Sequence, residues 1–204
     1  PAEAVRWLEK AANAGDARAQ FNLAVMYMRG LGVFRSQAMG RRWLDKALEQ
    51  EFPPAMVLYG EMLRSGQGVP RDLAGGLSWT RKAAELGDVN GMFNTAIAYA
   101  QGSGVERDYA VAAEYLERAA RKGFAPAQLQ LGRMHRSEDF EGLDLARAYA
   151  WTSLAAESGL DAAKEDLAGL EDTLTAAQRA RGRSVREELR AEIDTQRRRA
   201  ASLE

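Results

Sequence analysis

The stretch Gly66-Gln67-Gly68-Val69-Pro70-Arg71-Asp72-Leu73-Ala74-Gly75-Gly76-Leu77-Ser78-Trp79-Thr80-Arg81-Lys82-Ala83-Ala84 carries a helix stop, a reversal, a helix start and an apolar face in that order. Gly66 suits the left-handed residue that ends a helix, and Gly68 permits a tight turn after it. Asp72 offers a short polar side chain to the unpaired N–H groups of a new helix. No Glu or Gln stands three residues further on, so it is a simple cap rather than a capping box. Ala74, Leu77, Trp79 and Ala83 follow as a mostly apolar helical face. The same order returns at Gly30-Leu31-Gly32-Val33 with Ser36, and at Gly102-Ser103-Gly104-Val105 with Asp108. Asp144 holds the equivalent capping position once more.

These returns are evenly spaced. Trp7, Trp43, Trp79, Tyr115 and Trp151 are each 36 residues apart, as are Ala11, Ala47, Ala83, Ala119 and Ala155. Further ladders run through Ala2, Ala38, Ala74, Ala110 and Ala146, and through Ala19, Ala55, Gly91, Ala127 and Ala163. Gly15, Gly87, Gly123 and Gly159 keep the same period, with Glu51 as the departure. An uninterrupted period of this length marks a repeat protein.

Ala19, Leu23, Ala24 and Tyr27 recur at helical spacing, and no alternating run reads as a strand. Each unit is therefore a helical hairpin, with helix A near 17–29 and helix B near 36–50 in the first. Gly40, Gly76, Ala112 and Ala148 let neighbouring helices approach closely, and the aromatic three residues later fills the space between hairpins. Gly75-Gly76 is expected to weaken the start of its helix, because glycine costs about 1 kcal/mol against alanine in a helix interior. One hairpin cannot bury its own apolar face. The expected fold is all-α: a right-handed α-solenoid of 36-residue hairpins with a C-terminal capping helix.

Composition narrows the function. The 204 residues hold 28 basic and 29 acidic side chains, a balance that argues against a dedicated nucleic-acid binder. Without cysteine there are no disulfides, thiolate metal sites or Cys nucleophile, and one histidine argues against a His-based metal site or a triad. No Gly-x-Ser-x-Gly, Ser-x-x-Lys, His-Glu-x-x-His or phosphate-loop pattern occurs, and the glycine pairs recur once per repeat as turns. No catalytic residue, cofactor or metal ligand is assigned. No apolar run approaches the ~18 residues of a membrane span, and no signal-peptide pattern opens the chain. The sequence begins with Pro1 rather than Met, so it reads as a processed or excised piece, and its localisation stays open.

The GxGV turn and a capped helix carrying W-x-x-K-A-A/L resemble the Sel1-like repeat family, a cousin of the tetratricopeptide repeats. The residues are Trp43-Leu44-Asp45-Lys46-Ala47-Leu48 and Trp79-Thr80-Arg81-Lys82-Ala83-Ala84. On this resemblance, 1–171 form the repeat array. Residues 1–16 look like the second helix of a truncated repeat, and full repeats run over 17–52, 53–88, 89–124 and 125–160. An opening helix follows near 161–171, and 172–204 form the capping helix and tail. The family implies a non-catalytic, bacterial-type adaptor or scaffold for protein–protein interaction. Signalling or envelope regulation, in a periplasmic or exported setting, is in keeping with it. The alternative is a cell-wall glycan or peptide ligand binder, or a hydrolase-related Sel1-like protein; the lack of cysteine and of a Ser-Lys pair counts against it. An RNA-binding helical repeat is disfavoured by the net charge of −1.

Several residues stand apart. The fourth repeat reads Glu138-Asp139-Phe140-Glu141 where the others have GxGV. Its two readings are an acidic contact loop anchored by Phe140, and a degenerate terminal repeat whose Phe tucks onto its own hairpin; the second is preferred. Thr175 and Gln178 form a capping-box signature, and Val185, Leu189 and Ile193 an apolar stripe expected to cover the exposed end of the last repeat. Arg197-Arg198-Arg199 read as a solvated end. His135, in the ladder with Tyr27, Leu63 and Tyr99, reads as a packed histidine. The Trp ladder reads as core, and Lys10, Lys46, Lys82 and Arg118 as a recurring surface feature.

By analogy with tetratricopeptide repeats, helix A lines the concave wall. Its groove positions are Arg18, Phe21, Val25, Met28 and Arg29 in the first repeat, and Pro54, Val57, Glu61, Arg64 and Ser65 in the second. The third has Asn90, Phe93, Ile97, Ala100 and Gln101, and the fourth Pro126, Leu129, Arg133, Arg136 and Ser137. The apolar stripe Phe21, Val57, Phe93 and Leu129, with Arg64, Arg133 and Arg136 against a lone Glu61, suits an amphipathic or acidic partner peptide. The alternative is that the stripe packs adjacent A helices. The half-repeat at 1–16 is further expected to promote weak self-association.

Overall fold

The computed structural model describes residues 2–138 and 140–202. Pro1 and Asp139, which enter the expectations above, lie outside the described residues. Among the described residues the regular elements are α1 (Ala2–Asn13), α2 (Ala17–Arg29), α3 (Gln37–Glu49), α4 (Pro53–Ser65), α5 (Leu73–Glu85), α6 (Val89–Gln101), α7 (Tyr109–Arg121), α8 (Ala125–Arg136), α9 (Leu145–Glu157), α10 (Asp161–Thr173) and α11 (Ala176–Ala201). The hairpins are α2–α3, α4–α5, α6–α7 and α8–α9. Their limits follow the turn and cap residues quoted above.

The caps act as their residue types require. Ser36 Oγ accepts from the Met39 N–H at 3.2 Å, Asp72 from Gly75 at 2.9 Å and Asp108 from Val111 at 3.0 Å. Asp144 accepts from both Ala146 and Arg147. Each cap residue also closes its loop, because its own N–H donates back to the carbonyl of Tyr27, Leu63, Tyr99 or His135 at 2.8–3.0 Å. The fourth loop keeps that bond although it lacks the glycines. Gly30 and Gly32 take φ of 73° and 72°, the left-handed region that a side chain disfavours. Glu51 takes φ 54° at the position where the other repeats have glycine. Helix A starts in two ways. Asp16 and Asp88 cap α2 and α6 by hydrogen bonds, whereas α4 and α8 follow Phe52 and Phe124 with proline in the first turn, where a missing N–H costs nothing.

The chain divides into two compact units, residues 1–95 with 103–105, and residues 96–102 with 106–204. In the first unit Leu23, Ala24, Trp43, Leu44, Ala47 and Ala55 are buried in one cluster. The α4–α5 crossing is close: a Cβ on Gly60 would lie 2.8 Å from both the Gly76 carbonyl oxygen and Thr80 Cγ2. Burial of such side chains contributes roughly 1.5–3 kcal/mol each for the larger ones.

In the second unit α9 is buried along its whole middle, from Ala148 to Ala155. Ala163 of α10 packs with Leu129 and Ala155, and Leu170 and Leu174 pack with Tyr149. Helix α11 opens on the expected capping box, with the Gln178 N–H to Thr175 Oγ1 at 3.3 Å and the Thr175 N–H to Gln178 Oε1 at 2.9 Å. α10 takes the end of the last repeat, while α11 packs along α9 and reaches α7, with Arg186 and Arg190 on Glu157 and Glu192 on Arg121. The reason lies in α9. Where helix B of earlier repeats carries Arg42, Ser78 and Glu114, or Lys46, Lys82 and Arg118, α9 carries Ala150 and Leu154. That apolar outer face needs a cover, and α11 supplies it.

Candidate protein-interaction surfaces

In the first unit the A-helix residues differ in how much they offer a partner. Arg18 is exposed, and Val25, Met28 and Val57 are half-buried. Phe21 is half-buried with its ring 5.7 Å from that of Phe52, so part of its face is used in packing α2 to the start of α4. Phe93 is also half-buried. Arg64 is not an unpaired cation: its Nε lies 2.8 Å from Glu61 Oε2 and its Nη2 2.5 Å from Glu61 Oε1. One turn of helix separates the two residues, so the pair forms within α4. On α2, Tyr27 donates its hydroxyl to Glu9 Oε1 at 3.4 Å, and burial followed by the Glu9 charge pushes the phenol above its ordinary range.

In the second unit Ile97 is half-buried and Arg136 exposed. Leu129 corrects the reading of the stripe: it is 5% exposed, packed against Ala155 and Ala163. α10 covers it, so it is core and not groove floor. Arg133 Nε lies 2.7 Å from Asp166 of α10. Two of the three arginines set against Glu61 are thus neutralised within the chain.

Other expectations sort cleanly. His135 is buried, with Nδ1 2.7 Å from the Gly142 carbonyl oxygen, which only accepts, so Nδ1 carries the proton. Phe140 lies edge-on to His135 at 5.5 Å, tucked onto its own hairpin as the preferred reading has it. The lysine ladder has a specific job. Lys10, Lys46 and Arg118 lie over the aromatic three residues earlier, at 4.7, 4.3 and 5.1 Å, worth about 0.5–1 kcal/mol each when exposed. Lys82 instead meets Glu51 at 2.6 Å. The Trp ladder is core at Trp43 and Trp151, but Trp7 is 64% exposed. Trp79 and Tyr115 are covered by Tyr59 and Tyr99 from helix A of their own hairpins.

The surface holds shallow cavities. One, of about 360 Å³, is lined by Met28, Arg29, Arg35, Gln37, Leu58, Met62 and Gln67. Of the groove positions named from the sequence, Met28 and Arg29 face it; Leu58 and Met62 lie on α4 outside those positions, and Arg35, Gln37 and Gln67 come from the loops and the start of α3. A second, of about 270 Å³, has Trp151 beneath Arg121, Arg147, Arg181, Glu188 and Glu192. The sequence alternates with a period of two repeats. At two A-helix positions Val25 and Met28, then Ile97 and Ala100, alternate with Glu61 and Arg64, then Arg133 and Arg136. Every second repeat is charged there. Among the described residues no group of three or more His, Cys, Asp and Glu is placed to hold a metal ion, and no helix is long and apolar enough to cross a membrane.

A chain of capped helical hairpins that recur every 36 residues is an all-α repeat solenoid. The Sel1 repeat model matches it five times, at residues 1–16, 17–52, 53–88, 89–124 and 125–160. The chain belongs to the Sel1-repeat family. Such repeats generally mediate protein–protein interactions, and their scaffolds are typically non-catalytic. A Sel1 repeat protein from Oxalobacter formigenes is similar at 31% identity, over 92% of this chain and 79% of that one, with a TM-score of 0.79. A protective antigen present in uropathogenic Escherichia coli strains, displaying an SLR fold, is also 31% identical, with a TM-score of 0.77. That match covers 96% of this chain but 41% of the longer antigen. An immunity protein from Pseudomonas aeruginosa shares the fold at 20% identity, over 95% of this chain and 75% of that one, with a TM-score of 0.61. Comparison with curated proteins finds no match.

Proposed function

We propose that the chain is a non-catalytic scaffold or adaptor that binds a partner protein or peptide on the helix-A faces of its repeats. The observation that carries this reading is the contrast along α2 and α4. Ala19 and Ala55 repeat and are buried, whereas Arg18, Val25 and Met28 stay half-buried or exposed and change chemistry between repeats. Packing accounts for the first set and leaves the second available. Apolar side chains of this kind supply affinity, and the flanking charges set register.

The test is affinity capture from cell lysate and envelope fractions with mass spectrometric readout, comparing wild type with a folded Val25→Asp/Val57→Asp variant. A protein retained by wild type and lost by the variant is expected. Equal retention by both would move the contact off these faces, and no specific protein in either capture would overturn the adaptor reading.

A further inference from the structure

Within the first unit, the loop between α2 and α3 leaves two large apolar side chains in water: Phe34 is 98% exposed and Leu31 51% exposed. The repeat does not demand them, since the same positions hold Gln67 with Pro70, then Ser103 with Glu106. Nor is the loop loose. The Gly30 and Leu31 N–H groups donate to the Met26 carbonyl at 2.8 and 3.0 Å, and the Ser36 N–H donates to Tyr27 at 2.8 Å. Arg35 Nε donates to the Met28 carbonyl at 3.2 Å, and Val33 packs into the core cluster. Phe34 is therefore presented on a fixed support, so a partner that covers it orders little chain on binding.

The cavity of about 360 Å³ described above begins at Arg35, beside this tip. Its floor holds Met28, Leu58 and Met62, and its rim Arg29 and Arg35, with no acidic residue in the lining. Methionines suit a floor that must adapt to its occupant. We propose that this loop and cavity form a docking site for a protein segment that carries an apolar side chain flanked by carboxylates. The apolar tip and floor select a peptide side chain, and the two arginines select its charge. The proposal rests on the scaffold reading and gives it a partner chemistry and a place.

Phage-displayed random peptides panned on the full chain are the probe, followed by fluorescence polarisation with labelled copies of the enriched peptides. Enriched peptides are expected to carry an aromatic or long aliphatic residue between Asp or Glu residues. Their affinity is expected to fall about tenfold with Phe34→Ser, whose side chain touches no core, and with Arg29→Gln, while the circular dichroism melt stays unchanged. Added salt is expected to weaken wild-type binding more than that of Arg29→Gln. Absence of enrichment, enriched peptides without carboxylates, or affinity unchanged in Phe34→Ser would each overturn the site. Peptides that lose affinity with Val25→Asp/Val57→Asp but not with Phe34→Ser would overturn the loop site and leave the scaffold reading standing.

Discussion

Gln20 and Gln128 occupy equivalent positions three repeats apart, and both donate Nε2 to a helix carbonyl, Ala12 and Ala120 respectively, at 3.1 Å. Their oxygens fare differently. Gln20 Oε1 accepts from Gln50 Nε2 at 2.7 Å, whereas Gln128 Oε1 is buried without a hydrogen-bond partner among the described residues. Where Gln50 stands in the first repeat, the fourth has Ser158, whose hydroxyl donates to Leu154 instead. Met56 and Met92 fill the same position in the other two repeats. Gln128→Met is therefore expected to stabilise the protein by about 1 kcal/mol, because an unpaired buried polar atom costs more than a lost neutral hydrogen bond contributes. The Ala120 carbonyl keeps its bond from the Gly123 N–H. Thermal unfolding followed by circular dichroism checks this: a rise of roughly 2–4 °C is expected, and a fall would show the amide to be worth more than its unpaired oxygen costs.

Between the paired helices, spacing is set by a matched pair of residues. Gly60 faces Thr80 and Gly132 faces Thr152, whereas the other two hairpins carry Ala24 with Leu44 and Ala96 with Leu116. Threonine branches at Cβ, at the crossing itself, so the opposing helix must give up its own Cβ; leucine branches one carbon further out and leaves room for alanine. Gly60→Ala is expected to cost about 1–3 kcal/mol by overpacking against Thr80 and the Gly76 carbonyl. Adding Thr80→Leu recreates the Ala24–Gly40–Leu44 arrangement and is expected to recover part of that loss. Urea unfolding of both single variants and the double variant measures the coupling, and strict additivity would sink the pairing. The 36-residue ladders are plain in the sequence, but this alternation every second repeat emerges only when the contacts show which two positions meet.

Across the whole molecule, hairpins in a repeat array gain most of their burial from neighbours, so a local defect stays local. Ile193 of α11 is buried in the second unit, and α11 is held there by ion pairs at Glu157 and Arg121 and by its sparse apolar stripe. Exposed pairs of this sort contribute about 0–1 kcal/mol each, so the stripe decides whether α11 stays down. Ile193→Asp is expected to raise amide hydrogen exchange in α9 and α11 while leaving α2–α4 at wild-type rates. A uniform rise along the chain would mean that the array unfolds as one cooperative block.

The sequence by itself determined the period, the hairpins, their caps and turns, the closing helix and the family, because each rests on residues near one another in the chain: Asp72 with Gly75, Thr175 with Gln178, Gly30 with Gly32. Periodicity also tells which side chains share a face. It does not tell what comes to rest on that face. Only the tertiary structure showed that α10 buries Leu129 and takes up Arg133 through Asp166, that Glu61 occupies Arg64, and that Trp7 stands in water while Trp151 does not. The reason is distance along the chain. A helix brought in from 33 residues away, as Asp166 is from Arg133, leaves no periodic mark in the repeat it covers, and the loss of charge with the gain of Leu154 on α9 is legible only once α11 is seen beside it.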